Sequence, residues 1–269
     1  MSATLGIVVP AFRPDVDRLT AYVRSLADGL APETIRIELD DPEPAVREAL
    51  REALEPPAQV NAVDRRRGKG AAVTAGFEAL EADVLAFFDA DGATDAAAAA
   101  AVVEPVRDGT ADLAVGSRRH PESVVQSHQT VLRRALGDGF AWLARRVLGP
   151  SLYDYQCGAK AITAETWRRL RDDVYEPGFA WDIELVALAG AYGARIREVP
   201  IRWEDQPGST VDPIRDTARM FRGLAVAYHR SAVVSGSRLH RLLPIDPGPS
   251  LRERLHEAAH PDGSRGDPT

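Results

Sequence analysis

Asp89 and Asp91 stand two residues apart, directly behind the apolar run Val84–Phe88. An apolar run that ends in carboxylates indicates a buried strand that delivers acidic groups to the end of a sheet. At this spacing both side chains point the same way while strand geometry continues, and Gly92 then permits a sharp turn. Two adjacent carboxylates repel each other, and a hard divalent cation shared with substrate phosphates relieves that repulsion. The alternative is an Asp-rich turn that binds nothing.

A second candidate site is the basic loop 65–70, Arg-Arg-Arg-Gly-Lys-Gly, which opens a predicted helix. Cationic side chains and the N–H groups of a helix N-terminus both favour an anion. The loop lacks the spacing of a Walker loop, and a solvated basic loop is the alternative. Lys69 in this loop and Lys160 are the only lysines of the chain. An ammonium and a guanidinium are not interchangeable at a tight site.

Aromatic and acidic residues also follow the first two predicted strands. Pro10 and Phe12 end the first strand, and Asp40 and Asp41 follow the second. An aromatic ring there can stack on a base, and a carboxylate can accept hydrogen bonds from a base or a ribose. A strand-end proline followed by a turn is the alternative.

Two further acids, Asp182 and Glu184, lie in the aromatic segment 179–186. They are candidates for contacts with sugar hydroxyls or for catalysis, whereas Trp181, which directly precedes them, fits a hydrophobic core. Cys157 has no partner at metal-ligand spacing, so we interpret it as structural.

Arginine is concentrated in two stretches of an otherwise acidic chain. Residues 118–146 contain six arginines and two acids, a local net charge of +4, and residues 213–243 contain six arginines and one acid, a net of +5. Such stretches fit a lipid phosphate or an anionic membrane face. The alternative is an ordinary solvated helix face.

The elements that must position these residues alternate along the first half of the chain. Strands are predicted at 5–10, 34–39, 58–63, 84–88 and 111–116, with helices at 15–28, 43–54, 69–81 and 94–107. This alternation predicts an α/β fold with a mostly parallel sheet covered on both faces, whose ligands bind at the carboxyl ends of the strands. Further helices are predicted at 126–148, 164–171, 181–192, 213–235 and 250–258, and a strand at 195–203.

Composition narrows the class of protein. The 269 residues carry 40 acids against 33 basic residues, a net charge of −7, which argues against nucleic-acid binding. The single cysteine excludes an intrachain disulfide and fits a reducing cytoplasm. We find neither a signal peptide nor a run of about 20 apolar residues, so we expect a cytoplasmic protein that rests at most on a membrane surface.

The motifs together resemble family 2 glycosyltransferases of the dolichyl-phosphate hexose synthase type. The resemblance covers about residues 5–225 and rests on the ordered blocks VVPAF, DD, RRRGKGAAVTAGF, FFDADG, VGSR, DYQCGAKA, FAWDIELV and EVPIRW. It implies a GT-A fold and an inverting transfer of a hexose from a nucleoside-diphosphate sugar to a dolichyl or polyprenyl phosphate. The run from Asp89 to Thr94 is similar to the glucosyl branch, so UDP-glucose is the favoured donor and GDP-mannose the next.

The resemblance also implies roles for individual residues. Asp89 and Asp91 would bind Mg²⁺ or Mn²⁺ on the donor diphosphate, with Lys69 beside the nucleotide-sugar. The remaining assignments are Pro10, Phe12, Asp40 and Asp41 for the nucleotide, and Arg118, Arg133 and Arg134 for the acceptor phosphate. The chain departs from the family at Arg13-Pro14 and at the turn Asp40–Pro44, both on the nucleotide side.

We therefore expect a GT-A domain over residues 1–210, a basic amphipathic helical extension over 211–243 and a loosely ordered tail over 244–269. Three alternatives stay open: a family 2 transferase with another acceptor, a sugar nucleotidyltransferase, and a non-catalytic nucleotide-sugar-binding module. The absence of a Gly-rich loop after the first strand counts against the nucleotidyltransferase.

Overall fold

The computed structural model describes residues 3–126, 131–204, 213–237, 240 and 248–259. The strands are β1 Leu5–Phe12, β2 Thr34–Asp40, β3 Ala58–Val63, β4 Val84–Phe88, β5 Leu113–Ser117, β6 Val124–Gln126, β7 Ala159–Thr163, β8 Ile196–Pro200 and β9 Arg202–Glu204. The helices are α1 Val16–Leu30, α2 Pro44–Ala53, α3 Lys69–Ala79, α4 Ala96–Arg107, α5 Val131–Val147, α6 Ala164–Leu170, α7 Trp181–Ala191, α8 Pro213–Val234 and α9 Leu251–Ala259. A 3₁₀ turn, Arg171–Asp173, follows α6.

Seven strands form one sheet in the order β3-β2-β1-β4-β7-β5-β8, and β6 and β9 form a small parallel pair. The five strands predicted between residues 5 and 116 are all present. In register, Phe12 pairs with Asp40 and Val8 pairs with Phe87. The carboxyl ends of β1, β2 and β4 therefore meet at one edge, which is where ligands of such sheets bind.

The sheet contains one strand, β7, that the sequence does not predict, since its pattern fits a connection between helices. Strand β7 runs antiparallel between β4 and β5. The strand is only five residues long and combines Ala and Ile with Lys160 and Thr163, so its pattern does not distinguish a strand from a helix segment. Because Phe88 pairs with Ala159, the preceding Gly158 lies beside Asp89. The predicted strand 195–203 is also divided: β8 ends at Pro200, which lacks an N–H donor, and β9 begins in the other sheet.

Alternating strand residues build a core on each face of the sheet. Ile7 and Val9 of β1 pack with α1, α2 and α4, whereas Val8 between them packs with α3, α5, α6 and α7. This is the period-two geometry of a strand with both faces buried. The predicted mostly parallel sheet with helices on both faces is confirmed.

The C-terminal helices pack on the second of these faces. In α8, Leu224 and Ala227 are buried, and the backbone at Gly223 approaches Ala180 so closely that a methyl group there would clash. Leu251 at the start of α9 is buried in the same core. The predicted helices at 213–235 and 250–258 are thus present, while residues 244–247 and 260–269 of the expected tail lie outside the described part of the chain. Within the described residues, no helix is both long and apolar enough to cross a membrane.

Candidate active site

The carboxylates of Asp89 and Asp91 lie just beyond β4, as the sequence predicts. The Asp89 side chain is 41% exposed, and its backbone N–H donates to the carbonyl of Gly158 at 2.9 Å. Asp91 accepts from the N–H of Ala93 across the turn, where Gly92 adopts a φ of +71°. Burial, together with the nearby negative charge of Asp89, raises the pKa of Asp91. A cation bound to the pair would favour the ionised form of Asp91.

Gly158 is the close neighbour that defines the position of Asp89. A Cβ atom at residue 158 would lie 1.8 Å from Oδ2 of Asp89. Since such a contact is impossible, glycine is required here for the Asp89 carboxylate to occupy its place. The antiparallel strand β7 thereby positions the acidic pair on β4.

Lys69, at the start of α3, connects the acidic pair to a buried charge cluster. Its ammonium Nζ lies 2.9 Å from Oδ1 of Asp89 and 2.9 Å from Oδ2 of Asp182. Burial disfavours the charged form of Lys69, but the charges of Asp182 and Asp89 outweigh it and raise the lysine pKa.

The same buried carboxylate also binds Lys160 of β7, at 2.6 Å from Nζ to Oδ1. Burial works against ionisation of Asp182, yet the ammonium groups of Lys160 and Lys69 lower its pKa. A carboxylate held by two cations is a poor proton acceptor. Asp182, a candidate for sugar contact or catalysis, is only 1% exposed and pairs with both lysines. Its role toward the sugar stays a prediction.

Arg118 follows β5 and forms a bidentate ion pair with Asp154. Nε lies 2.7 Å from Oδ2 and Nη2 lies 3.0 Å from Oδ1. Burial opposes ionisation of Asp154, but the charge and hydrogen bonds of Arg118 lower its pKa to about 2. The charge of Arg118 also acts on Asp91 and favours its ionised form. Arg118 is thus a fixed cation beside the acidic pair, its side chain 29% exposed.

The other two predicted acceptor residues, Arg133 and Arg134, fall in the first turn of α5. Their side chains lie outside the described part of the structure, so their role stays a prediction.

On the nucleotide side, Phe12 is 36% exposed and lies under the guanidinium of Arg66, which is 4.1 Å from the ring centroid. Asp40 is buried and accepts hydrogen bonds from the backbone N–H groups of Arg67 and Gly68. It also pairs with the Arg67 side chain at 2.7 Å. The Asp40 carboxylate therefore shapes the basic loop 65–70 that precedes α3.

The neighbours of these two residues are more accessible. Asp41 is exposed, with a left-handed φ of +47°, and Pro10 is partly buried in β1. The structure brings Pro10, Phe12, Asp41 and the basic loop to the same edge of the sheet as Asp89. Their contacts with a nucleotide remain predictions.

Glu184 lies outside this group. Its carboxylate is buried and accepts from the backbone N–H groups of Tyr175 and Glu176 at 3.0 and 2.8 Å. It also pairs with Arg230 of α8. Although these bonds favour the charged form, burial dominates and raises the pKa of Glu184. These contacts fix the loop before α7 and attach α8 to α7.

Sequence reasoning missed the functions of three residues near the site. Asp154, Gly158 and Lys160 stand in the block DYQCGAKA, which the sequence singles out as a motif without assigning contacts to them. Tyr22 of α1 has no sequence signal at all, because its position matches an ordinary buried helix face. Its hydroxyl is buried and has no hydrogen-bond partner among the described residues, and burial and the charges of Asp89 and Asp91 raise its pKa.

The described residues contain no cluster of three or more His, Cys, Asp and Glu side chains suited to a metal ion. The acidic pair offers two carboxylates. It would suit an ion such as Mg²⁺ or Mn²⁺ that takes its remaining oxygen ligands from water and substrate phosphates.

Comparison with known proteins gives one family and one fold. Residues 6–166 match the model of glycosyl transferase family 2. Glycosyltransferase AglD of Haloferax volcanii is 38% identical over 157 residues, which are 58% of this chain and 25% of that protein. The dolichyl-phosphate beta-glucosyltransferase of Drosophila melanogaster is 29% identical over 252 residues, 86% of this chain and 76% of that protein. The chain thus spans about a quarter of the length of the first relative and about three quarters of the length of the second.

Among solved structures, glucosyl-3-phosphoglycerate synthase from Mycobacterium tuberculosis, crystallised with Mn²⁺, UDP and glucosyl-3-phosphoglycerate, is similar. The TM-score is 0.60 at 17% identity, covering 84% of this chain and 80% of that one. At this identity the likeness concerns the fold, and it confirms the predicted GT-A architecture.

Proposed function

Because this chain belongs to glycosyl transferase family 2, we propose that it transfers a hexose from a nucleoside-diphosphate sugar to a dolichyl or polyprenyl phosphate. The observation that carries the proposal is the meeting of Asp89 and Asp91 with Lys69 and Arg118 at one edge of the sheet. Carboxylates that can bind a metal lie beside cations that can bind phosphates, and this transfer requires both kinds of group.

The acidic pair fits a divalent metal in three respects. Both ligands are hard oxygen donors, the Asp89 carboxylate is accessible, and a bound cation would oppose the burial and the Asp89 charge that together raise the pKa of Asp91. The orphaned Tyr22 hydroxyl is a further polar group beside the pair that a hydrated ion would satisfy. When bound, Mg²⁺ or Mn²⁺ neutralises charge on the departing diphosphate. The M. tuberculosis neighbour, crystallised with Mn²⁺ and UDP, supports this assignment.

The acceptor side requires orientation rather than a strong base, because a phosphate monoester is already ionised at pH 7. We assign Arg118, with Arg133 and Arg134, to the acceptor phosphate. Asp154 holds the Arg118 guanidinium in one orientation, and a fixed cation can direct the acceptor oxygen to the anomeric carbon. Asp182, the buried carboxylate next to Lys69, is bonded by two lysines and is unsuited to be a base, which agrees with an ionised acceptor.

For the sugar, glucose is favoured over mannose and UDP over GDP. The support is the sequence from Asp89 to Thr94 and the similarity to dolichyl-phosphate beta-glucosyltransferases of several eukaryotes. Pro10, Phe12 and Asp41 are assigned to the nucleotide, with Asp40 acting through the basic loop that it holds.

We also assign α5 and α8 to the face that approaches the membrane on its cytoplasmic side. Trp142 is 54% exposed and stacks with Arg146, while Phe221 and Tyr228 of α8 are each 40% exposed. Exposed aromatics mixed with arginines suit an anionic interface. We retain the division into residues 1–210, 211–243 and 244–269 as part of this proposal.

The experiment is a transfer assay with UDP- and GDP-linked glucose and mannose, Mg²⁺ or Mn²⁺, and a choice of acceptors. The acceptors are dolichyl phosphate, a shorter polyprenyl phosphate and 3-phosphoglycerate. We expect product from UDP-glucose with the lipid phosphates and none after chelation of the metal. Product from 3-phosphoglycerate alone would replace the lipid acceptor by a soluble one, and donor binding without turnover on any acceptor would favour a binding module.

A further inference from the structure

The only two lysines of the chain bind the same carboxylate. Lys160 contacts Oδ1 of Asp182 and Lys69 contacts Oδ2. Subtracting these 2 lysines from the 33 basic residues leaves 31 arginines. A compact ammonium that makes single-point contacts fits this cluster, whereas a planar guanidinium has a different shape and donor geometry.

Lys160 has a structural position in this cluster. It is 1% exposed, donates to the carbonyl of Cys157 at 2.7 Å and lies over the ring of Phe87. Its bond to Oδ1 of Asp182 leaves Oδ2 directed to Lys69.

Lys69 has a different position, since it bridges the buried cluster and the accessible site. Its ammonium is equidistant, at 2.9 Å, from Asp182 and from Asp89, whose side chain is 41% exposed. The two lysines and these two aspartates balance in charge. A divalent ion on Asp89 would add two positive charges next to an ammonium that already occupies Oδ1, and the two cations repel each other strongly at such a separation.

We infer that Lys69 is a placeholder cation, which neutralises Asp89 while the donor is absent and yields Asp89 to the metal when the donor diphosphate arrives. The inference rests on the proposed metal site at Asp89 and Asp91. Asp182 retains the ammonium after the exchange, so Lys69 stays within reach of the diphosphate oxygens. Lys160 and Asp182 are positioning residues, because they act through Lys69. Metal alone must compete with Lys69, whereas metal and diphosphate together supply new partners for both cations.

The test is a titration of the full chain with Mn²⁺, with and without UDP. The electron paramagnetic resonance signal of the unbound ion gives the affinity for Mn²⁺ in each case. For the native chain we expect weak binding of Mn²⁺ alone and much tighter binding with UDP. For Lys69→Gln we expect Mn²⁺ alone to bind at least about tenfold tighter, because a positive charge beside the ion is removed. UDP should then add less to Mn²⁺ affinity than it does in the native chain.

Two variants make the result specific. Arg51→Gln removes one exposed charge from α2, outside the proposed site, and it should change the affinity for Mn²⁺ alone by less than about threefold, because exposed charges are screened. Lys69→Arg keeps a positive charge beside Asp89, although a guanidinium fits the cluster less well than an ammonium, and it should bind Mn²⁺ alone no more tightly than the native chain. It also keeps the test decisive if Lys69→Gln does not fold, since tighter binding by Lys69→Arg would overturn the inference.

The outcomes also separate this inference from the proposed function. If Mn²⁺ binds the native chain with UDP but Lys69→Gln leaves the affinity for Mn²⁺ alone unchanged, Lys69 is not a placeholder and the metal site stands. If the native chain binds no Mn²⁺ even with UDP, the proposed metal site fails and the inference fails with it.

Discussion

Arg118 and Asp154 lie 36 residues apart and form a bidentate pair, with Nε 2.7 Å and Nη2 3.0 Å from the two carboxylate oxygens. The pair joins the end of β5 to the segment that leads into β7. Asp154 also accepts from the backbone N–H groups of Arg118 and Gln156. One buried carboxylate therefore holds a candidate acceptor-binding arginine and the approach to the strand beside Asp89.

Replacement of Asp154 by asparagine should destabilise the protein by about 2 kcal/mol near neutral pH. It removes one partner of a buried pair, and we reduce the expected cost because the Arg118 side chain is 29% exposed. The pKa of Asp154 in the folded protein is about 2, below the ordinary value of about 3.9. The contribution is therefore complete above about pH 4 and is lost as the pH falls through 2. Urea unfolding of both proteins at several pH values measures this, and a difference that persists undiminished at the lowest pH would contradict it.

Replacement of Gly158 by alanine should reduce transfer activity by at least about 100-fold, a loss expected from a small displacement of a reacting group. The new methyl group would collide with the Asp89 carboxylate and move it. Gly149→Ala is the matched control, because a Cβ there meets nothing within 4 Å. Initial rates together with thermal unfolding test this. Equal rates for the native chain and Gly158→Ala would show that the position of Asp89 is not critical.

Asp89→Asn and Asp91→Asn should each reduce metal-dependent transfer by about 100-fold or more, the loss typical of removing one electrostatic stabiliser of a transition state. Amides are weaker ligands for Mg²⁺ than carboxylates. Asp89→Asn also deprives Lys69 of one carboxylate. The measurement is transfer rate against metal concentration, and full activity of either variant with metal present would exclude the proposed mechanism. Asp95→Asn, which changes the N-cap of α4, is a control for loss of an acid near the site.

Replacement of Arg146 by glutamine should weaken association with anionic vesicles about fivefold, since a basic residue near such a surface contributes about 1 kcal/mol. Trp142→Ala should weaken it further, because Arg146 stacks on this exposed ring. Arg51→Gln alters an exposed arginine of α2, a helix on the opposite face of the sheet, and should have little effect. Vesicle co-sedimentation at low and at moderate salt measures all three. If Arg51→Gln and Arg146→Gln have the same effect, α5 does not face the membrane.

The local pattern of the chain was sufficient for most elements and for the acidic pair. The run Val84–Phe88 is apolar throughout because β4 is buried on both faces. The end of the strand, and the position of Asp89 just beyond it, can therefore be predicted without a structure. Helices α1 and α4 begin directly after Asp15 and Asp95, each of which caps its helix through its side chain. Signals of this kind depend only on residues that are close in the sequence, so they can be recognised from one sequence alone.

Only the tertiary structure decided which partner each charged side chain binds. Lys69, Asp89, Lys160 and Asp182 come from three elements and a strand end, and only the order of the sheet, with antiparallel β7 next to β4, brings them together. Asp40 and Glu184 have the residue types of ligand-binding acids, but their burial commits them to backbone N–H groups and arginines. The residue type alone does not distinguish a ligand-binding carboxylate from a buried structural one. Its function depends on which cation lies within about 3 Å, and that is set by long-range packing rather than by local sequence.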